Sequence, residues 1–309
     1  MLRPSHASTL RPKPGPRKSL CGAYNVCPIK RAAFGNGLEP GRAGVMKDLD
    51  QFYTCPDLAK AYIDQVLNRW KDPDVLFVEP SAGTGAFLQP LLDASRKVRA
   101  IDLAPWHKGI VRSDFFSDAS IFAGQHSAIV VVGNPPFGKN ACQAVRFFNH
   151  AALHANEIAF IVPRTFRKIS LQKRLDSHFH LLNDNDVQSH AFLRSGKPHD
   201  VPCAWQIWTR KDRKRVVPKP PSVDHLIAYT NPNQASFAMR RVGFYAGRVR
   251  TDNIPSLSLT THYFMREVRN GVRDVMQHID WTDLARQTVG SRSVSKTEIA
   301  FKLDEVFNA

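Results

Sequence analysis

Two short stretches of this sequence carry residue types that can do chemistry. The first is Asn134-Pro135-Pro136-Phe137, at the end of the apolar run 128–132. Two consecutive prolines cannot continue a central strand, so the chain must leave a sheet there in a rigid extended turn. Such a turn can hold the Asn134 side-chain oxygen and the Pro135 carbonyl at fixed positions, where both accept hydrogen bonds from an amino group. Phe137 adds an aromatic face against which a heteroaromatic base can stack. The second stretch is Glu79-Pro-Ser-Ala-Gly-Thr-Gly-Ala-Phe-Leu88. Its glycines, Gly83 and Gly85, permit a tight turn whose amide N–H groups stay open to a ligand. Asp102 follows about twenty residues later, where a carboxylate can take both hydroxyls of a ribose. A glycine pair alone marks many ordinary turns; with Asp102 at this spacing it points to a nucleoside cofactor.

These residues need a scaffold, and the hydrophobic pattern supplies one. Apolar residues recur at helical spacing over 56–70, and a β-like run over 75–78 leads into the glycine turn. A helix over 86–95, a strand over 98–102, a short extended step over 111–116, a strong strand over 128–132, a helix over 141–154 and a strand over 158–163 follow. Alternation of helices with continuously apolar strands predicts an open parallel sheet covered on both faces, with ligands at the carboxyl ends of its strands. A closing hairpin is expected between 187–192 and 204–209. The basic stretch 210–215 and the prolines of 218–221 read as a linker. Domain organisation is then a catalytic domain over 46–217 and a small C-terminal region over 218–309, where a helix over 262–279 is the clearest element.

Composition narrows the class. With 309 residues, 43% of them hydrophobic, and a formal net charge of +16, the chain can bury a substantial core and still attract polyanions. Cys21, Cys27, Cys55, Cys142 and Cys203 show no metal-ligand or disulfide spacing and read as free thiols, so no metal is expected. No apolar run is long enough to span a membrane, and no membrane partner is expected. Residues 1–45 carry eight Lys or Arg against the single acid Glu39 and should be disordered. A basic arm, an organellar transit segment, or residues upstream of a start at Met46 would each explain them; the last is preferred, because organised sequence begins there.

The two motifs together resemble the class I S-adenosylmethionine-dependent methyltransferases that act on amino nitrogens. The resemblance is specifically to the adenine-N6 branch with its (N/D)-P-P-(Y/F/W) signature and the motif order of the gamma class. It covers about residues 50–210. It implies an α/β, Rossmann-like fold with a mostly parallel seven-stranded sheet, a C-terminal hairpin and a small C-terminal region. By that resemblance Tyr53, Thr54 and Pro56 help hold the methionine moiety of S-adenosyl-L-methionine. Glu79, Ala82, Gly83 and Gly85 form the cofactor turn, Asp102 binds ribose, and Asp114 with Phe115 receives the cofactor adenine. Asn134, Pro135, Pro136 and Phe137 are the catalytic set, and residues 161–166 resemble the strand that borders the substrate pocket. Phe192 stands either as a second aromatic capping a flipped base or as a core residue.

The implied reaction is methyl transfer to the N6 amino group of adenine in DNA, by a monomer that is cytoplasmic or nucleoid-associated, or organellar if residues 1–45 are a transit segment. RNA adenine methylation, protein glutamine methylation and a noncatalytic nucleic-acid-binding module remain alternatives. Arg240, Arg241 and Arg248, interleaved with aromatics and glycines over 240–250, fit either a loop following a phosphate backbone or a solvated hairpin. Residues 291–296 are a weaker case of the same kind. His262 and His278 read as structural.

Overall fold

The computed structural model describes residues 53–189, 191–194, 197–288 and 290–308. The expectations for residues 1–45 and for a start at Met46 lie outside the described residues. A two-residue strand β1 (Tyr53–Thr54) leads into helix α1 (Pro56–Arg69). Pro56 sits in the first turn, where a missing N–H costs nothing, and Ala59, Tyr62, Ile63 and Val66 form the buried stripe. Next come β2 (Leu76–Glu79), α2 (Leu88–Asp93), β3 (Lys97–Asp102), β4 (Val111–Arg112) and β5 (Ile129–Gly133). Helix α3 (Cys142–Ala151), β6 (Glu157–Pro163) and the short α4 (Ile169–Gln172) follow. Then come β7 (Phe179–Asp186), β8 (Phe192–Arg194), β9 (Lys197–His199) and β10 (Cys203–Arg210).

Seven of these strands form one sheet in the order β4-β3-β2-β5-β6-β10-β7. The pairs among β4, β3, β2, β5 and β6 are parallel, and β10 alone runs against both of its neighbours. This is the open, mostly parallel Rossmann-like sheet that the motifs imply. Every residue of β6, and Val130 to Val132 of β5, is buried, as strands covered on both faces require. The closing hairpin differs from expectation in its first strand. Residues 179–186 pair with β10, whereas Phe192 joins β8 and pairs with Thr54 in a separate three-stranded sheet. The run 179–186 carries several polar residues because β7 is the sheet's edge, so its weak apolar signal hid it.

Beyond the sheet, β11 (Ile227–Tyr229), β12 (Phe237–Arg240), β13 (Val249–Arg250) and β14 (His262–Glu267) pair antiparallel in the order β11-β14-β12-β13. Helices α5 (Val272–His278), α6 (Thr282–Arg286) and α7 (Lys296–Phe307) complete the region. The helix expected over 262–279 is therefore half strand. His262 to Glu267 lies between two partner strands that satisfy its backbone, and Gly271, at φ +85°, starts the helix that follows. The described residues form one compact unit holding two main hydrophobic cores, and the change from one to the other falls between Trp208 and Val223. The basic stretch is more than a linker. Arg210 donates to the Ala155 carbonyl at 2.9 Å, and Arg215 donates to the Gln172 carbonyl at 2.7 Å. No helix among the described residues is long and apolar enough to cross a membrane.

One polar cluster fixes α1 to the sheet. The fully buried Glu157 carboxylate accepts from Arg69 Nη2 at 2.7 Å, Arg69 Nε at 3.0 Å and Trp70 Nε1 at 2.8 Å. Glu157→Ala should therefore cost about 3 kcal/mol, because it removes charge-assisted hydrogen bonds and leaves Arg69 and Trp70 donors facing a cavity. Urea denaturation measures this, and a loss below about 1 kcal/mol would show that water replaces the carboxylate.

Candidate active site

The carboxyl ends of β2, β3 and β5 bring the two motifs together, and the glycine turn explains how. Gly83 and Gly85 lie at φ +50° and +83°, a region in which a side chain would be strained. The turn is clamped by Asp102 at the end of β3: its Oδ2 accepts from Gly83 N at 2.8 Å and its Oδ1 from Ala104 N at 2.8 Å. A carboxylate offers about four acceptor directions, so Asp102 can hold the turn and still take further donors. A Cβ on Gly83 would come within 3.1 Å of the Tyr53 ring, and one on Gly85 within 3.2 Å of His107. The open backbone thus faces a wall made by Tyr53 and His107. Burial, and then Asp102, push the Tyr53 phenol above its ordinary value, while a hydrogen bond with Trp106 works the other way.

Asn134 is tied into this wall. Its side-chain Nδ2 donates to Thr54 Oγ1 at 3.2 Å, and its carbonyl accepts from Ser81 Oγ at 3.3 Å. The first bond decides which way the carboxamide faces: with Nδ2 turned to Thr54, Oδ1 points away from it, as an amine acceptor needs. Thr54 is itself buried and paired through β1 to β8.

Not every expected residue has the expected exposure. Phe115 is buried within an aromatic cluster with Phe122, Phe147 and His150, so its ring serves the core. Asp114 is exposed and accepts from Phe116 N at 3.0 Å. Phe137 is only 6% exposed, because Gly138 at φ +66° curls the chain back and the Phe137 carbonyl accepts from Gln143 N. Its ring presents no open stacking face in this conformation. Phe192 is fully buried directly across from Thr54. Pro56 serves as the first residue of α1. Ser81, Trp106 and His107 escaped the motif reading, since no spacing rule singles them out. Arg240, Arg241 and Arg248 lie around the β12–β13 turn of the C-terminal region. A cleft of about 470 Å³ lined by Lys168, Asp283, Glu298 and Lys302 shares none of the motif residues.

Glu79 carries the strongest electrostatic signature. It ends β2, is 1% exposed, and its Oε2 has no hydrogen-bond partner among the described residues. Burial first, then Asp102, push this carboxyl well above its usual range, with the Leu88 N–H opposing.

No protein-family model matches the chain, and no curated protein matches it. Solved structures do. A Pyrococcus horikoshii protein assigned as an RNA methyltransferase is 16% identical, with a TM-score of 0.41, covering 52% of this chain and 87% of its own. The modification subunit of a Vibrio vulnificus enzyme assigned to type I restriction is 11% identical, with a TM-score of 0.39, over 84% of this chain and 62% of its own. The plantazolicin methyltransferase BpumL, solved with S-adenosylhomocysteine, is 9% identical, with a TM-score of 0.34, over 49% of this chain and 82% of its own. With likeness at this level, the fold rests on this chain's own strand order.

The raised Glu79 carboxyl has a consequence for stability. Folding takes up a proton between the unfolded and folded pKa values, so stability present at acid pH falls as pH rises through the raised value. Glu79→Gln should flatten that slope and melt higher than the parent at alkaline pH, as followed by calorimetry from acid to alkaline buffer. An unchanged slope would remove Glu79 as its source.

Proposed function

We propose that this chain transfers a methyl group from S-adenosyl-L-methionine to the N6 amino group of adenine in DNA. The observation that carries the reading is the Asn134 carboxamide, oriented by Thr54 beside a glycine turn clamped by Asp102. The residues present fit the cofactor. The unpartnered Glu79 Oε2 is an acceptor for a buried donor, Gly83 and Gly85 leave backbone open, and Asp102 keeps acceptor capacity for ribose hydroxyls. In this reading Tyr53, Thr54 and Ala82 complete the cradle, and Asp114 with the Phe115 backbone takes the adenine.

When bound, the cofactor supplies a methyl group already activated on a sulfonium. The chain's own task is to prepare the nucleophile. The lone pair of an adenine amine is conjugated with the ring, and hydrogen bonds donated by that amine to Asn134 Oδ1 and the Pro135 carbonyl favour a tetrahedral nitrogen with its lone pair localised. Pro135 and Pro136 keep the two acceptors rigid, which lowers the entropic cost of alignment. The nitrogen becomes cationic on methylation and loses its proton to solvent, so no strong base is needed. In a duplex the base must leave the stack, at a cost of a few kcal/mol. Phe137 and Phe192 contribute to its capture only after a local opening, given their burial.

Three outcomes test the reading. Asn134→Ala should abolish methyl transfer while calorimetric binding of the cofactor survives, and retained activity would remove Asn134 from the mechanism. Thr54→Val, which deletes the acceptor that orients the carboxamide, should lower kcat about tenfold or more with Asn134 in place. An unchanged kcat would leave Asn134 oriented by other groups. Nucleosides from DNA and RNA incubated with labelled donor, separated by mass spectrometry, identify the polymer. N6-methyladenine in RNA alone would replace DNA as the substrate.

A further inference from the structure

The C-terminal sheet carries a pair of exposed rings that methyl transfer does not use. Phe244 and Tyr245, in the turn between β12 and β13, are 70% and 56% exposed. Two adjacent exposed rings at the tip of one turn form a contiguous apolar patch of the kind a partner covers. This turn holds them outward. Gly243 and Gly247 lie at φ +99° and +101°, and a Cβ on Gly247 would collide with Cβ of the buried Trp281. The backbone is therefore pressed onto a core residue with no space between. Gly247 N donates to the Arg240 carbonyl and Arg240 N to the Arg248 carbonyl, which closes the turn.

Cations surround the rings. Arg292, from the segment before α7, lies 4.6 Å from the Phe244 ring centroid, and its carbonyl accepts from Gly243 N at 2.9 Å. Arg248 lies 5.8 Å from the Tyr245 ring, and the two rings meet edge to face at 5.1 Å. Arg241, at the start of the same turn, lies 5.1 Å from the Tyr263 ring centroid. The tip is also fastened to the end of the main sheet where Asn134 sits. Lys168, just past the carboxyl end of β6, donates to the Ser293 carbonyl beside Arg292 and pairs with Glu298 in α7.

We propose that Phe244 and Tyr245 form a base-stacking finger, which takes unstacked bases of a nucleic-acid strand beside the target nucleotide. Arg241, Arg248 and Arg292 lie along its phosphates. The inference rests on nucleic acid being the substrate, and not on the N6 chemistry. Phosphates alone would call for cations without rings, and a purely apolar partner would leave Arg248 and Arg292, which lie against these two rings, without anionic groups to meet. Aromatic rings flanked by arginines match a strand that offers both base faces and anionic oxygens. The net charge of +16 is of the sign such a partner requires.

The test is fluorescence anisotropy of the full chain with two labelled oligonucleotides, one single-stranded and one a duplex with an unpaired adenine, across a salt series. Phe244→Ala combined with Tyr245→Ala should weaken both complexes about tenfold or more while leaving the salt slope unchanged. Arg248→Gln should instead make the slope shallower. A 2-aminopurine in the strand should be quenched by the parent and not by the double variant. Because both rings are exposed, the variant's melting temperature should match the parent's. Binding equal to the parent, or weakened binding with a shallower slope, overturns the finger while methylation of nucleic acid can stand. A parent that binds neither oligonucleotide overturns the finger and the nucleic-acid substrate together.

Discussion

The candidate site depends on one carboxylate placed between two backbone amides. Asp102 accepts from Gly83 and Ala104, and this sets a turn that the glycine dihedrals permit without enforcing. From that turn the remaining geometry follows by contact. Tyr53 packs over Gly83, its neighbour Thr54 orients Asn134, and Ser81 within the turn holds the Asn134 carbonyl. Three strand ends are thus braced by side chain to backbone bonds. Rigid acceptors cost no rearrangement when a substrate arrives, which is where a reaction without acid or base assistance gains most.

The central part of the fold was legible in the residues because its signals are local and strong. Val130 to Val132 and residues 157–163 are apolar without interruption, and Pro135-Pro136 can only end a strand, so sheet and motif declared themselves together. The edge hairpin was misplaced because Phe179–Asp186 is paired on one side only and carries polar residues that resemble loop. Burial was the harder property. Position suggests a ligand-facing role for Phe115 and Phe137 and leaves Phe192 open between base cap and core, yet all three rings pack inside, and no spacing rule separates a ring facing a pocket from one facing a core. In the C-terminal region His262 to Glu267 contains Tyr, Phe and Met in an order that suits either period, and only pairing with β11 and β12 decides it.

Net charge also reads differently once the side chains are placed. Arg96 donates to the Trp70 and Asp72 carbonyls, Arg99 to those of Ser120 and Ala123, and Arg210 and Arg215 to the ends of neighbouring helices. Arg167 is held by Asp184 and Asp186. These cations complete the caps and turns of the scaffold. Those around the β12–β13 turn include Arg241 and Arg248, which stay exposed and lie against rings. Among the described residues, part of the positive charge is therefore committed to the scaffold, and Arg241 and Arg248 are among the cations that stay exposed beside aromatics.

The reversed strand β10 carries a final consequence, for the order of assembly. It lies between β6 and β7 yet is made after both, so β7 has no sheet partner, and β6 has β5 alone, until β10 has left the ribosome. Until then β6, apolar along its whole length, presents an unpaired edge of the sort that recruits other chains. Translation of the intervening segment sets the interval of exposure. Truncation before β10 would leave that apolar edge permanently open.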